Sequence, residues 1–376
     1  KLTIGGEIRE RYEVRTNAAM NQGNPLSNKG NESVASQRVR VSVGYDLTPD
    51  VSFFAQISDA RYFGTEAGAA ANGIVAVSTA NGNFNGIDLH QGYLQLKNVL
   101  VPGLSLKAGR QEIIFGDHRL FGNFGWSQIG NAFDGVRLTH STQAANVDLF
   151  WARIVDPFAI AGSGVAATGG AQPSILFPGA TTATQSTGNQ DIYGLYVTLK
   201  PVKNWTIEPY LFLLQDARVS APTTGAVGNA LLAAQTTGQT RQFLGGRVNG
   251  KAGGLDFTYE GNYQFGSIQD NCSRNSGLAA SCGTLAGQPN IGGQVTGGRA
   301  AHINASQHAV KTGYTFDAVP MKPRLGFEFN YASGDKCSNG PATGDRSACG
   351  ASDRNANLAD NLYPTNHFHY GYMDLM

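Results

Sequence analysis

The feature that most narrows what this chain can fold into is a rhythm. Segments of about ten residues alternate apolar and polar side chains, and they are joined in turn by a long polar stretch and a short tight one. Successive side chains on a strand point to opposite faces, so each segment builds one greasy face and one polar face. In residues 2–14, Leu2, Ile4, Ile8, Tyr12 and Val14 share one face, and Thr3, Glu7, Arg9, Arg11 and Glu13 share the other. Residues 38–47 set Val39, Val41, Val43, Tyr45 and Leu47 against Arg38, Arg40, Ser42, Gly44 and Asp46, and Thr48-Pro49-Asp50 then makes a tight turn. The pattern recurs at 51–62, 87–97, 104–114, 133–140, 147–154, 191–199, 205–214, 241–249, 255–265, 306–316, 324–334 and 368–376, about fourteen segments in all. Long connections are expected at 16–37, 64–86, 115–132, 155–190, 215–240, 266–304 and 335–366, and short ones at 98–103, 141–146, 200–204, 250–254 and 317–323. Strict long and short alternation is what an up-and-down barrel needs when its two rims face different compartments.

The expected fold is therefore all-β, a transmembrane antiparallel up-and-down β-barrel forming one domain over residues 1–376. With 49 glycines, 10% aromatics and only 15% charged residues, the composition favours strands and turns over helices. No run of apolar residues is long enough for a spanning helix, but a barrel turns only alternate residues to lipid and keeps a low mean hydropathy. The chain opens directly on a strand-like segment, as expected if an export signal has been removed.

A soluble sandwich, apolar inside and charged outside, would write the same string, so the second face has to decide. The greasy face is unusually aromatic: Leu255, Phe257, Tyr259, Tyr263 and Phe265 share one strand face, and Leu325, Phe327, Phe329 and Tyr331 another. The opposite faces carry Arg9, Arg11, Arg38, Arg40, Lys107, Arg137, Arg241, Arg247, Lys311 and Arg324 with Glu7, Glu13, Asp46, Asp148, Glu208, Asp256, Glu260 and Glu328. A wet lumen tolerates such facing charges by pairing them, whereas a small soluble barrel fills its centre with apolar groups. A solvated outer surface with scattered salt bridges is the competing reading of these residues. Three features break the pattern. Glu10 falls on the greasy face, which calls for a bulge or a position near the rim. Alternation slips at Gly109-Arg110-Gln111, leaving Arg110 and Glu112 without an assigned face. The chain also ends inside a strand-like segment without a terminal aromatic, as expected if C-terminal strands are missing.

Cys272 with Cys282 and Cys337 with Cys349 form two close pairs in Gly/Asn/Ser-rich stretches. Three connectivities are open, local pairing being the simplest, and disulfides point to an exported protein. A zinc site is the alternative, disfavoured by the spacing and by the lack of a close His. No phosphate-binding loop, zinc-protease helix motif or nucleophile elbow is present. Gly162-Ser163-Gly164 reads as flexible loop, and Asp353, Asn355, Asn357 and Asp360 match no calcium-loop spacing, so neither a metal nor a cofactor is expected. His367 and His369 read as structural, and with Lys and Arg (28) balancing Asp and Glu (27) no nucleic-acid partner is expected.

Two stretches are distinctive. One runs from Leu106-Lys107-Ala108-Gly109-Arg110-Gln111-Glu112 through Gly116-Asp117-His118-Arg119 to Phe133-Asp134-Gly135-Val136-Arg137. The other runs from Leu362-Tyr363-Pro364-Thr365-Asn366-His367-Phe368-His369 through Tyr370-Gly371-Tyr372-Met373-Asp374-Leu375. Together they resemble the alginate-export family of outer-membrane porins. The resemblance implies a monomeric barrel of up to eighteen strands in the outer membrane of a Gram-negative bacterium, with a pore lined by Arg, Lys and carboxylates that passes an acidic polysaccharide. By motif match it places Arg110, Asp117, Arg119, Asp134 and Arg137 at the rim loop and pore wall, or, for Arg119 and Asp134, in a pair that pins a loop. The partners expected are outer-membrane lipid, an anionic or polar solute or polysaccharide, and a periplasmic secretion partner. The leading expectation is a passive channel and not an enzyme. A barrel that sheathes or anchors a partner without conducting solute is the alternative.

Overall fold

The computed structural model describes residues 1–16, 31–63, 86–155, 186–187, 189–217, 219–220, 239–270, 299–334 and 355–365. Among them there is no helix. The long strands are β1 (Leu2–Thr16), β2 (Asn31–Asp46), β3 (Val51–Tyr62), β4 (Gly86–Leu96), β5 (Leu104–Gln111), β6 (Phe133–Ser141), β7 (Ala145–Val155), β9 (Gln190–Val202), β10 (Trp205–Asp216), β12 (Gln239–Ala252), β13 (Leu255–Asp270), β14 (Arg299–Thr315) and β15 (Arg324–Ala332). Three two-residue strands, β8 (Ser186–Thr187), β11 (Val219–Ser220) and β16 (Asn355–Ala356), complete the set. The chain divides into two compact units, one of Lys1–Leu138 with Asn361–Met376 and one of Thr139–Asp360.

In the first unit β1 to β5 pair antiparallel in chain order, and β6 follows β5. The turn after β2 is closed by the Thr48 hydroxyl, which accepts from the backbone N–H of Asp50 (3.3 Å) and Val51 (3.1 Å). Period-two patterning puts the two kinds of side chain where the sequence expects them. Ile4 and Ile8 are 70% and 73% exposed, whereas Arg38 and Arg40 on the opposite face are 4% and 6% exposed. That inverts a soluble sheet, and it is stable only if hydrocarbon, not water, meets the greasy side.

In the second unit the order is β7-β9-β10-β12-β13-β14-β15, with β16 parallel to β14 and β8 paired with β11. Leu195, Leu211, Leu244, Tyr263 and Phe329 are exposed, while Glu208, Arg247, Glu260 and Gln264 are buried. The covered face is not purely ionic. Phe150, Tyr196, Tyr210 and Phe212 pack on it, with the Tyr196 and Tyr210 rings 5.8 Å apart and nearly parallel, so a patch of aromatic rings interrupts the ionic wall expected from the pattern. Gly194 makes room for this, since a Cβ there would overlap the Phe150 and Phe212 rings.

Each expected segment from 2–14 to 324–334 overlaps a long strand, and the last, 368–376, lies outside the described residues. Several strands run further than the alternation does. β2 begins at Asn31 and β14 at Arg299, inside stretches expected to be loop, and β13 continues to Asp270. Ladder hydrogen bonds do not need a greasy face, so a strand that has left the bilayer carries no alternation to read. Of the two arrangements called for at Glu10, a bulge or a position near the rim, the bulge is not found. Pairing of β1 with β2 is unbroken from Leu2↔Tyr45 to Thr16↔Asn31, and Glu10 is met by its cross-strand neighbour Gln37, whose amide donates to the carboxylate at 2.6 Å. The register shift falls instead between Gln56 and Ile57 against β4, where His90 is the extra residue. The slip at 109–111 has a backbone cause: Gly109 has φ +123°, where any side chain would run into the Gly92 carbonyl.

Candidate functional site

In the first unit the polar faces of β1 and β2 set Arg9 opposite Arg38 and Glu7 opposite Arg40. Like charges directly opposed are destabilising unless acceptors come between them. The acceptors are supplied by the backbone of residues 125–129, in the segment that links β5 to β6. Arg9 donates to the carbonyls of Gly125 (2.6 Å), Trp126 (2.8 Å) and Ser127 (2.9 Å) and to the Gln128 side-chain oxygen (2.6 Å). Arg38 donates to the Ser127 carbonyl (2.9 Å) and pairs with Glu7, and Arg40 donates to the Ile129 carbonyl (2.7 Å). Arg11 donates to the Trp126 carbonyl (2.8 Å) and lies 4.6 Å from the centre of that residue's ring system. The Gln128 amide donates to the Ser36 hydroxyl at 2.7 Å. The covered side of β1 and β2 is thus a row of guanidinium forks closed over a strip of main chain.

The base of this segment is built from aromatic rings. Phe121 is fully buried and packs on Phe115, Phe133 and Tyr363, with centroids 5.9–6.2 Å apart. Tyr363 N–H donates to the Leu120 carbonyl and Gly122 N–H to the Tyr363 carbonyl, both at 2.9 Å, so residues 361–365 run alongside the segment as a short parallel bridge. The Thr365 hydroxyl accepts from Phe124 N–H (3.0 Å). The Glu112 carboxylate closes the other side, 2.8 Å from His90 Nε2 and accepting from the Asn123 amide at 3.1 Å. Burial pushes the Glu112 pKa up, but the His90 and Asn123 hydrogen bonds and the His90 and Arg40 charges outweigh it and hold the group below the usual carboxylate range. His118 is pushed down by burial, against the pull of Asp117 and Glu112.

Residues 1–375 of the 376 match the family model described as alginate export. The chain belongs to the alginate export family. It is an integral protein of the Gram-negative outer membrane, an all-β barrel of porin type. No curated protein matches it. Among solved structures it resembles a BenF-like porin from Pseudomonas fluorescens Pf-5, at 12% identity over 89% of this chain and 83% of that one with a TM-score of 0.39. It also resembles Acinetobacter baumannii OccAB1, at 13% identity over 91% and 82% with a TM-score of 0.38. At these scores the likenesses are descriptive only, and membership rests on the sequence match.

The remaining residues singled out from the alternation and from the family resemblance divide between the two units. In the first, Arg110 pairs with Asp134 (2.9 Å) and lies 4.0 Å from Asp88, Lys107 lies over the Tyr93 ring (4.3 Å), and Arg137 lies over the Phe115 ring (5.1 Å). Asp117 and Arg119 belong to the linking segment itself. In the second, Arg247 donates to Glu208 (2.7 Å), which also accepts from the Tyr196 hydroxyl (3.0 Å), and the Tyr210 hydroxyl approaches Glu260 (3.5 Å). Arg241 donates to Gln264 (2.7 Å) and to the Leu358 carbonyl (3.1 Å). Arg324 holds Asp256 through two hydrogen bonds of 2.7 and 2.9 Å, and Glu328 accepts from Asn330 (3.1 Å). Cys272, Cys282, Cys337 and Cys349 lie outside the described residues, as do Asp353, His367 and His369. Sequence reasoning missed Ser36, His90, Asn123 and Gln128, and it marked Tyr363 and Thr365 only as part of a distinctive stretch, without a role. They act through main-chain acceptors or across large sequence separations, and neither leaves a periodic signal.

Proposed function

We propose that this chain is a passive channel in which the ionic face, over residues 1–376 as one barrel, lines a water-filled path for anionic or polar solutes, an acidic polysaccharide such as alginate among them. The observation that carries this reading is the inverted sheet: aliphatic and aromatic side chains stand exposed on one face while Arg, Glu and Gln are turned to the other. Arginine forks bind carboxylates bidentately, and neighbouring acids keep that grip weak enough for release, the combination a conducting path requires. The open charges at Arg110–Asp134, Arg324–Asp256 and Glu328 are the ones we assign to solute contact. Arg9, Arg11, Arg38 and Arg40 already serve the 125–129 strip. Catalysis plays no part in this reading.

The test is planar-bilayer electrophysiology on the purified protein. Discrete ion-carrying openings with a reversal potential favouring small anions are the expected result. A barrel that inserts but stays electrically silent, and that co-purifies with a periplasmic protein, would replace the channel by the sheath.

A further inference from the structure

Resting on the reading of the ionic face as a channel wall, we propose that residues 124–130 are a built-in competitor for the solute. Their carbonyls occupy the Arg9, Arg11, Arg38 and Arg40 donors that a carboxylate-bearing saccharide takes, and such a saccharide displaces them.

The first argument is chemical. Four guanidinium groups here stand among three carboxylates, Glu7, Glu13 and Glu112, and several of their remaining donors are met by neutral oxygens of residues 125–129. A hydrogen bond from Arg to an ionised carboxylate is roughly twice as strong as one to a neutral acceptor, and the fork matches two carboxylate oxygens at once. An anionic sugar acid therefore outbids a carbonyl, whereas a neutral sugar of the same size does not. Arg38 is buried and its Nε has no hydrogen-bond partner among the described residues, so the row retains a donor that the strip leaves unused.

The second argument is mechanical. The strip is a tip on a fixed base. Asn131 N–H donates to the Asn123 carbonyl (2.7 Å) and the Asn131 amide to the Gly122 carbonyl (3.1 Å), closing the loop below the tip, and that base is seated in the Phe121 ring cluster. Left-handed backbone brackets the tip at Phe124 (φ 44°) and Gly130 (φ 76°), the places where the chain turns away from its base. Beyond them the contacts holding residues 125–129 run to the wall, through the arginines and through Gln128 to Ser36. An anion that takes the guanidinium groups removes most of what keeps the tip down and leaves the base in place.

Trp126 sits in the tip against Arg11, and the chain has three tryptophans, so a W151F/W205F variant makes Trp126 the sole reporter. The detergent-solubilised protein is titrated with trigalacturonate, with maltotriose as the neutral control, and the same preparation is studied in planar bilayers. We expect a saturable shift of Trp126 emission with trigalacturonate, weakened by added salt, and none with maltotriose. Ser36→Ala, which takes away the acceptor of the Gln128 amide and leaves every arginine contact in place, is expected to lower the half-saturating uronate concentration roughly fivefold, the weight of about one hydrogen bond. Unchanged emission while the bilayers carry a trigalacturonate current overturns the competitor and leaves the channel standing, and an equal shift with maltotriose overturns it too. A shift in an electrically silent barrel supports the competitor and sinks the channel, and silence in both measurements removes both.

Discussion

Arginines on the polar strand faces of the two units have different neighbours. Arg9, Arg38 and Arg40 in the first unit are closed over main-chain carbonyls, and Arg38 and Arg40 are nearly inaccessible. Arg324 in the second unit is open, forked onto Asp256 across β14, where the absence of a side chain at Gly313 lets the guanidinium lie flat on the strand. The contrast teaches that an ionic wall is not one functional class. A guanidinium that finds carbonyls holds main chain and meets a solute only by giving that main chain up, and one that finds only a partly exposed carboxylate stays available to whatever passes.

Four measurements press on that contrast. Phe121→Ala opens the ring cluster under the tip and should cost about 4 kcal/mol, read as a lowered melting temperature in detergent and as new protease cleavage within 112–132. Arg9→Ala removes one donor from several acceptors at once and should cost about 2 kcal/mol, with the same cleavage pattern and a larger conductance. Acid should loosen the same segment. Glu112 is held below its ordinary 4.5, so its contribution is present above that value and is lost as pH falls through its folded pKa. His118 is held below 6.5, so its contribution begins to fade as pH drops past 6.5. Proteolysis of the segment should therefore increase in two stages, one that begins as pH drops past 6.5 and one that begins below 4.5, and Glu112→Gln should erase the second. Arg324→Gln should leave the melting temperature unchanged and move the reversal potential toward cations, because exposed pairs add little stability. Equal destabilisation by Arg9→Ala and Arg324→Gln would erase the distinction between scaffold and wall.

Much of the strand map was legible, because lipid on one side and polar groups on the other force period-two patterning wherever a strand crosses hydrocarbon. Where that force ends the reading failed. Asn31 to Ser36 and Arg299 to Ala305 belong to strands but look like loop. The pattern also put Arg9, Arg38 and Arg40 on one face, as the pairing of the strands does, but it carried no sign of the segment more than eighty residues away whose carbonyls they meet.

The order of residues by itself determined the class of architecture and which side of each strand is greasy, since both follow from local alternation and turn chemistry. Only the tertiary structure decided which charges are spent on holding main chain, because carbonyl acceptors are identical at every residue. Which of them reaches a given guanidinium depends on where a distant segment comes to rest.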